Sequence, residues 1–468
     1  MTENRYERLV VVSNRLPVVL HRQEDSWQIK GGSGGLVSAL GPVLRDRGGV
    51  WIGWPGTSET IGIREVRNIL GPASESSGYR LFPVFLSPEE VESFYQGFSN
   101  GIIWPLFHDL QGKCEFLPDH WQAYLRVNEL FASAVARHTT PRNLIWIHDY
   151  HLIHVAEMLS RQDVSRRCVF FLHIPFPPLD IFAKLPWRMS LLRALTAYDL
   201  VAFQTARDRR NFLTCLRAFF PSATVHGRGP VMTSTVEGRS FSAAAIPISI
   251  DYDDFDRTAR SAPVKRQAAL LREQYRMEKL ALGVDRLDYT KGILERLMAF
   301  QSALERHPEL RGRLSLVQVV VPSRETVKAY RDLKERIELL VSGINGKYTK
   351  DGWIPVVYLY QSMDRSQLVA HYLAADMALV TPLKDGMNLV CKEYCASHVD
   401  RRGVLILSEF AGAAAQLSDT ILINPYDTEG TAEAIWKAFE MSEKEQRRRM
   451  VSLRRRIQRQ DVFWWVGT

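Results

Sequence analysis

The chain has 468 residues, 46% hydrophobic and 24% charged, with a formal charge of +8. It is longer than one hydrophobic core organises, so two domains are expected, and the charge is a modest excess that fits small anionic substrates better than nucleic acid or a membrane surface. The five cysteines form no Cys-x-x-Cys and no His-paired spacing, which argues against a disulfide framework or a zinc site and points to the reduced cytoplasm. Residues Met1–Arg8 carry no apolar export segment, and no later run approaches the roughly 18 apolar residues of a membrane span.

Short apolar runs bounded by turn signals alternate with amphipathic stretches, the pattern of parallel sheets with helical crossovers. In chain order, the pattern predicts a strand over Leu9–Ser13, an apolar helix over Leu36–Leu44, a helix over Asn128–Arg137, and strands over Leu144–His148, Val169–His173 and Leu200–Phe203. A break follows at Ala245–Ile250, then a charged helical stretch over Asp251–Lys279. Beyond it come strands over Leu280–Val284, Leu314–Val321, Pro355–Tyr360, Met377–Val380, Val404–Ser408 and Ile421–Asn424, with helices over Ile293–Arg306, Glu325–Val341 and Ser366–Ala374. The fold class expected is α/β, two doubly wound Rossmann-like domains over 1–248 and 249–452. Ligands are expected at the carboxyl ends of the strands, in the cleft where the domains face each other, with closure over them.

The most informative segment is Leu280–Gly292, where an apolar strand runs into a loop holding Arg286 and Lys291 and a helix follows at once. Two cations at a strand end suggest a diphosphate. Leu379–Glu393 repeats the plan and places Asp385 and Glu393 at the start of a helix, whose unpaired N–H groups and dipole attract anions. The pair reads as one nucleotide-sugar site. The glycine cluster Lys30–Leu36 precedes a helix, so its amides can approach a phosphate or sugar, though it reads equally as a surface turn and lacks dinucleotide-binding spacing.

Arg15, after Ser13-Asn14, and Arg324, after Ser323, also follow strands, where a guanidinium can grip phosphate at two points. A surface ion pair accounts for either alone; four cations at strand ends, Arg15, Arg286, Lys291 and Arg324, weaken coincidence. Two phosphorylated substrates need such charge, because like charges about 5 Å apart repel by roughly 3 kcal/mol at an effective dielectric near 20. Asp251-Tyr-Asp-Asp254 has the look of an Asp-x-Asp metal motif but lacks a glycine turn and a third ligand, and reads as a solvated turn. Asp149 with His148 and His151, and His173, end neighbouring strands and point into one crevice; the first two histidines read equally as core. Tyr95, Trp104 and Trp54 offer faces for a sugar or pack inside. Arg447–Arg449 and Arg454–Arg456 read as a solvated helix face rather than a polyanion site.

Together these segments resemble the trehalose-6-phosphate synthase family, retaining glucosyltransferases of the two-domain GT-B type (family 20). The likeness runs from about residue 8 to about 465 and rests on Val11–Pro17, the Gly34-Gly35-Leu36 loop, Tyr95–Pro105, Trp146–His151, His173–Pro177, Arg286–Gly292, Asn345–Tyr348 and Asp385–Glu393. It implies that Arg15 and Arg324 hold the acceptor phosphate of glucose 6-phosphate, with Tyr95, Trp104 and Asp149 completing that pocket and Trp54 beside it. It implies that Arg286 and Lys291 bind the UDP diphosphate. Gly34, Gly35, His173, Asp385 and the amides of Gly386, Met387 and Asn388 would hold glucose and diphosphate, Glu393 the ribose, with Leu389 and Val390 flanking it and Met363 bordering the base.

The implied reaction moves glucose from UDP-glucose to glucose 6-phosphate with retention. Asp149, His173, Arg286, Lys291 and Asp385 are the expected catalytic groups. Front-face attack, in which the leaving phosphate takes the acceptor's proton, and a covalent intermediate both remain open. No metal and no other cofactor is expected; the partners are the two small substrates, with neither nucleic acid nor membrane, and a homo-oligomer is compatible. Glucosylglycerol-phosphate synthases share the donor half, but Arg15, Tyr95, Trp104 and Arg324 argue for a glucose-sized acceptor; intact ligand groups argue against a silent sensor. Two departures stand out: a variable hairpin over Val18–Gln28, and a tail, Asp461–Thr468, that ends soon after the family's last helix crosses back. Residues 453–468 are therefore expected to return to the N-terminal domain.

Overall fold

The computed structural model describes residues 8–23, 26–32, 34–59, 61–324 and 327–468. Met1–Glu7 of the export reading, Ser33 of the glycine cluster and Glu325, where the pattern predicts a helix start, lie outside the described residues. Two compact units emerge, Met1–Ile248 with Thr468, and Ser249–Gly467. The division falls inside Ala245–Ile250, the break read from the sequence.

The first unit is built on nine described strands in the order Arg80–Pro83, Val50–Trp54, Arg8–Arg15, Asn143–His148, Arg167–Leu172, Leu200–Phe203, Arg239–Ala245, Val231–Val236 and Thr224–His226. Seven run parallel, and the last two add antiparallel edges. Parallel strands covered on both faces need continuous apolar runs, and Val10, Val11 and Val12 are all 0% exposed. Asn128–Arg137 proves to be the end of a longer helix, Pro118–His138, whose Pro118 sits where no N–H partner is needed. Val91–Ile103 is a π-helix, a form that sequence periodicity does not reveal. Val18–Gln23 and Ser26–Gly31 pair as the expected hairpin.

The second unit holds six described strands, all parallel: Val356–Tyr360, Leu314–Val321, Lys279–Arg286, Met377–Val380, Val404–Ser408 and Ile421–Ile423. Its order reverses between Lys279–Arg286 and Met377–Val380; the first unit's reverses between Arg8–Arg15 and Asn143–His148. In doubly wound sheets the crevice at such a reversal, outside the carboxyl ends of the strands, is where ligands bind.

Three sequence readings change. Residues 453–467 belong to the second unit rather than the first. In helix Glu443–Arg459 the Arg454 guanidinium pairs with Asp256 at 2.5 Å and donates to Cys395 O at 3.0 Å, while Val462 N–H donates to Ile250 O at 2.9 Å. A buried guanidinium requires such partners, so Arg454 is also no part of a solvated basic face. Third, Asp251 is a helix N-cap rather than a solvated turn: its carboxylate accepts Asp254 N–H at 3.0 Å at the head of Tyr252–Arg260.

Candidate functional site

In the second unit, Arg286 is the exposed last residue of Lys279–Arg286, and one 3-10 turn, Tyr289–Lys291, leads into helix Ile293–Arg306. Gly292 makes the corner: its φ is 62°, and a Cβ there would lie 2.1 Å from Thr381 O. The loop that follows Met377–Val380 is thereby clasped to the first, Leu383 N–H donating to Thr290 O at 2.8 Å and Thr381 Oγ1 to Gly292 O at 3.2 Å. This contact brings the two motifs' charges together. Lys291 Nζ lies 2.7 Å from Asp385 Oδ2, with the side chains 13% and 15% exposed.

Asp385 is held on every side. Met387 N–H reaches its Oδ1 at 3.3 Å and Asn388 Nδ2 its Oδ2 at 3.3 Å, and Gly412 packs so close that a Cβ would meet Gly386 O at 1.8 Å. Asn388, at φ 74°, turns the chain into helix Val390–Ser397 and accepts Cys391 N–H at 3.2 Å, with Leu389 as the residue before the helix. Glu393 Oε2 accepts the Tyr372 hydroxyl at 2.8 Å. Burial pushes the Glu393 carboxyl above its usual range, while the Tyr372 bond and the Arg365 charge favour its ionised form. Neighbouring Lys392 is turned inward to Gln416 Oε1 at 2.8 Å, and burial pulls its amine down to about 8. Met363 is half-buried between strand Val356–Tyr360 and helix Arg365–Ala374.

Beneath the two loops lies an ionic floor that the sequence reading did not single out. Arg296, 0% exposed, bonds Asp285 at 2.6 Å, Gln318 Oε1 at 3.0 Å and Thr381 Oγ1 at 3.1 Å. Gly283 makes room for it, since a Cβ there would sit 2.4 Å from Nη1. Asp288, between Arg286 and Lys291 in the chain, accepts Thr290 N–H and Oγ1–H on one oxygen and the Tyr330 hydroxyl on the other. Burial works to raise its pKa, but Arg324, Arg286 and Lys291 outweigh burial and hold the carboxyl below its ordinary value.

In the first unit, Arg15 at the end of Arg8–Arg15 lies 4.4 Å from the ring centre of Trp54 and 5.4 Å from that of Tyr95. Trp54 is fixed by its Nε1–H to Thr57 O at 2.8 Å, and Tyr95 stacks on His151 at 5.8 Å. Asp149, at φ 74° just past Asn143–His148, accepts His173 N–H at 3.2 Å. Trp104 stands one ring behind, packed on Tyr150 at 5.9 Å and His108 at 4.3 Å and 7% exposed. Gly34, at φ 141°, precedes helix Gly35–Arg47 and has no atom within 4 Å of where a Cβ would be; Gly32 instead packs on Pro17.

His148 Nδ1 lies 3.0 Å from His173 Nε2. Gln204 Oε1 accepts Ile248 N–H at 2.9 Å, so its amide NH2 faces His173 Nδ1 at 3.5 Å. His173 therefore carries its proton on Nε2 and donates it to His148. Burial lowers both pKa values, that of His173 to about 3, so the pair is neutral at physiological pH.

Residues 7–468 match the model of glycosyltransferase family 20. The chain belongs to that family.

Similar to this family-20 chain are the trehalose-6-phosphate synthase of Mycobacterium bovis, 42% identical over 98% of this chain and 92% of the relative, and the bifunctional trehalose-6-phosphate synthase/phosphatase of Thermoproteus tenax, 42% identical over 98% of this chain. The chain spans 62% of the length of that bifunctional relative. Among solved structures, an α,α-trehalose-phosphate synthase (UDP-forming) from Burkholderia xenovorans in complex with glucose-6-phosphate superposes with TM-score 0.87 at 32% identity, covering 98% of each chain. An E. coli structure bound with UDP-2-fluoro glucose gives 0.86 at 36% identity, covering 98% of this chain and 97% of that one. The fold is GT-B.

Within each unit, this family-20 chain gathers most of the residues that the motifs single out. Arg286, Lys291, Asp385–Val390 and Glu393 line the second unit's reversal; Arg15, Trp54, Tyr95, Asp149 and His173 cluster in the first. Sequence reasoning passed over Asp288, Arg296, Tyr330, Tyr372 and Gln204. An arginine on the inward face of a helix beside a strand glycine was the available signal for Arg296; Tyr372 and Gln204 meet their partners, and Tyr330 meets Asp288, only across 21 residues or more of chain. No group of three or more metal-ligating side chains, and no helix long and apolar enough to cross a membrane, occurs among the described residues.

Proposed function

We propose that this chain transfers glucose from UDP-glucose to the anomeric hydroxyl of glucose 6-phosphate, giving α,α-trehalose 6-phosphate and UDP. The observation that carries the reading is the clasp of two strand-end loops that sets Lys291 and Asp385 2.7 Å apart beside Arg286, in a family-20 chain. Arg286 and Lys291 take the diphosphate, and the amides of Gly386, Met387 and Asn388 support it at a helix start. Glu393 takes the ribose, flanked by Leu389 and Val390, and Met363 borders the base. Gly34 and Gly35, without side chains, let the backbone approach the donor.

Arg15, Trp54, Tyr95 and Asp149 receive glucose 6-phosphate, with Trp104 supporting them and Arg324 as the further phosphate cation. The donor C1–O bond breaks toward the diphosphate, the acceptor O1 bonds to C1, and its proton passes to the leaving phosphate oxygen. Growing charge on that phosphate is met by Arg286 and Lys291. Asp385 and Asp149 are already engaged as hydrogen-bond acceptors, which suits orientation of substrate hydroxyls better than nucleophilic attack, so retention proceeds by front-face attack. The neutral His173, its ring nitrogens held by His148 and Gln204 and its backbone N–H by Asp149, completes the sugar site as a fixed, uncharged wall that keeps Asp149 in place.

The two fixed cations supply the charge that a metal would otherwise bring, so the proposal includes metal independence. It also includes a cytoplasmic location, supported by five free cysteines. The test is UDP release from UDP-glucose with glucose 6-phosphate and glycerol 3-phosphate offered separately, and NMR of the sugar product. An α,α-linked trehalose 6-phosphate is expected. Turnover with glycerol 3-phosphate alone transfers the chain to the sister activity, and none with either removes the enzymatic reading.

A further inference from the structure

Arg324 sits at the carboxyl end of Leu314–Val321 with φ 50°, a left-handed conformation that a non-glycine residue keeps only where its surroundings hold it. What the structure supplies is Tyr330, two residues inside helix Lys328–Tyr348 and 3% exposed. Its hydroxyl accepts from Arg324 Nη1 at 2.5 Å and donates to Asp288 Oδ2 at 3.2 Å, while the guanidinium itself stays 3.9 Å from that carboxylate. The other oxygen of Asp288 is taken by Thr290 N–H and Oγ1–H at 3.0 and 2.9 Å. Tyr289 packs against the Tyr330 ring at 5.5 Å. One phenol thus stands between the loop that carries Arg286 and Lys291 and the arginine assigned to the acceptor phosphate.

We propose that Tyr330 is a positioning residue for acceptor recognition: its hydroxyl is a spacer that keeps Arg324 tethered to Asp288 without a direct, two-point ion pair. Arginine meets carboxylates and phosphates with the same planar fork. In direct register with Asp288, the fork would spend two N–H groups and most of its charge on an internal anion, and an incoming phosphate would have to break that pair. With the phenol between them, Arg324 Nη1 donates to a neutral oxygen instead of the carboxylate, and Asp288 keeps a donor in place of the cation. The Asp288 charge, 3.9 Å away, still attracts the arginine but does not occupy its fork.

This inference rests on the reading of Arg324 as a ligand of the phosphate of glucose 6-phosphate. The test is a double-mutant cycle with Tyr330→Phe and Arg324→Ala, reading KM for each substrate separately. Tyr330→Phe is expected to raise KM for glucose 6-phosphate about tenfold, the worth of a hydrogen bond to a charged group, with kcat and KM for UDP-glucose within about twofold of wild type. In the Arg324→Ala background, the same change is expected to add less than about twofold, because a residue acting through Arg324 has nothing left to act on.

Multiplying effects, or an unchanged KM for glucose 6-phosphate in Tyr330→Phe, overturn the role of Tyr330 while leaving the activity standing. An unchanged KM in Arg324→Ala overturns the acceptor assignment and Tyr330's role with it. Absence of trehalose 6-phosphate from the wild type is the separate failure of the proposed function. Calorimetric UDP affinity checks the fold, and if the phenylalanine variant does not bind UDP, Tyr330→His closes the same cycle with the same criterion of non-additivity.

Discussion

At its sheet reversal the second unit collects formal charges: Arg286, Lys291 and Arg324 against Asp288 and Asp385, over a fully buried Arg296–Asp285 pair. The first unit, at the corresponding place, collects rings. Arg15 lies over Trp54 and Tyr95, Tyr95 stacks on His151, and His148 and His173 share one hydrogen bond in a neutral state. The same topology thus presents two different chemical surfaces. Dense fixed charge suits a diphosphate leaving group, whereas a single cation among aromatic faces and neutral donors suits a sugar with one phosphate. Neutrality in the first unit is a product of burial, which removes the histidines' charge, and charge in the second survives because each buried ion has a partner.

The largest effect that tests this division is expected from Lys291→Ala, which should lower kcat/KM for UDP-glucose about 10³-fold in the UDP-release assay by removing charge stabilisation of the leaving phosphate. A loss appearing only in KM for glucose 6-phosphate would reverse the division. Arg15→Ala comes next, with KM for glucose 6-phosphate rising about 100-fold and calorimetric UDP affinity unchanged. If UDP binding weakened equally, Arg15 would not be specific to the acceptor phosphate as proposed.

Acid should act on the first unit through its neutral histidines. His154 is 0% exposed, and burial pulls its pKa down to about 3; Glu157 at 3.7 Å does not offset this, because Arg161 holds that carboxylate at 2.6 Å. The folded-state value lies below the unfolded one, so the unfolded chain binds more protons between the two, and stability is lost as pH falls from about 6.5 toward 3. At pH 5 the cost is about 2 kcal/mol per such histidine. His154→Gln should therefore remove about that much of the difference between denaturant melts at pH 7 and pH 5, if the variant keeps the packing. The smallest effect is expected from chelation: incubation with EDTA should leave turnover within about twofold, since the proposed function gives the diphosphate to Arg286 and Lys291.

Much of this architecture was legible because parallel strands buried on both faces appear as unbroken apolar runs, as in Leu314–Val321 and Val404–Ser408. The strands Val50–Trp54 and Arg80–Pro83 escaped because they are short and interrupted by Gly53 and Pro83, although the first is fully buried. The π-helix Val91–Ile103 escaped because its turn matches neither strand nor α-helix spacing. The grouping of residues 453–467 with the second unit was not legible, because Arg454 finds Asp256 and the carbonyls of Cys395 and Ala396 only through distant chain segments.

The amino-acid sequence alone determined the α/β class, the break near Ala245–Ile250 and the residues that stand at strand ends, because burial periodicity and turn chemistry are local properties. It also carried the family through ordered motifs. Only the tertiary structure decided which of those residues meet: Lys291 with Asp385, Tyr372 with Glu393, and Arg324 with Asp288 through Tyr330. It likewise decided that His148 and His173 are neutral. Pairing across a sheet reversal and loss of charge by burial depend on atoms that are distant in the chain, so no local pattern encodes them.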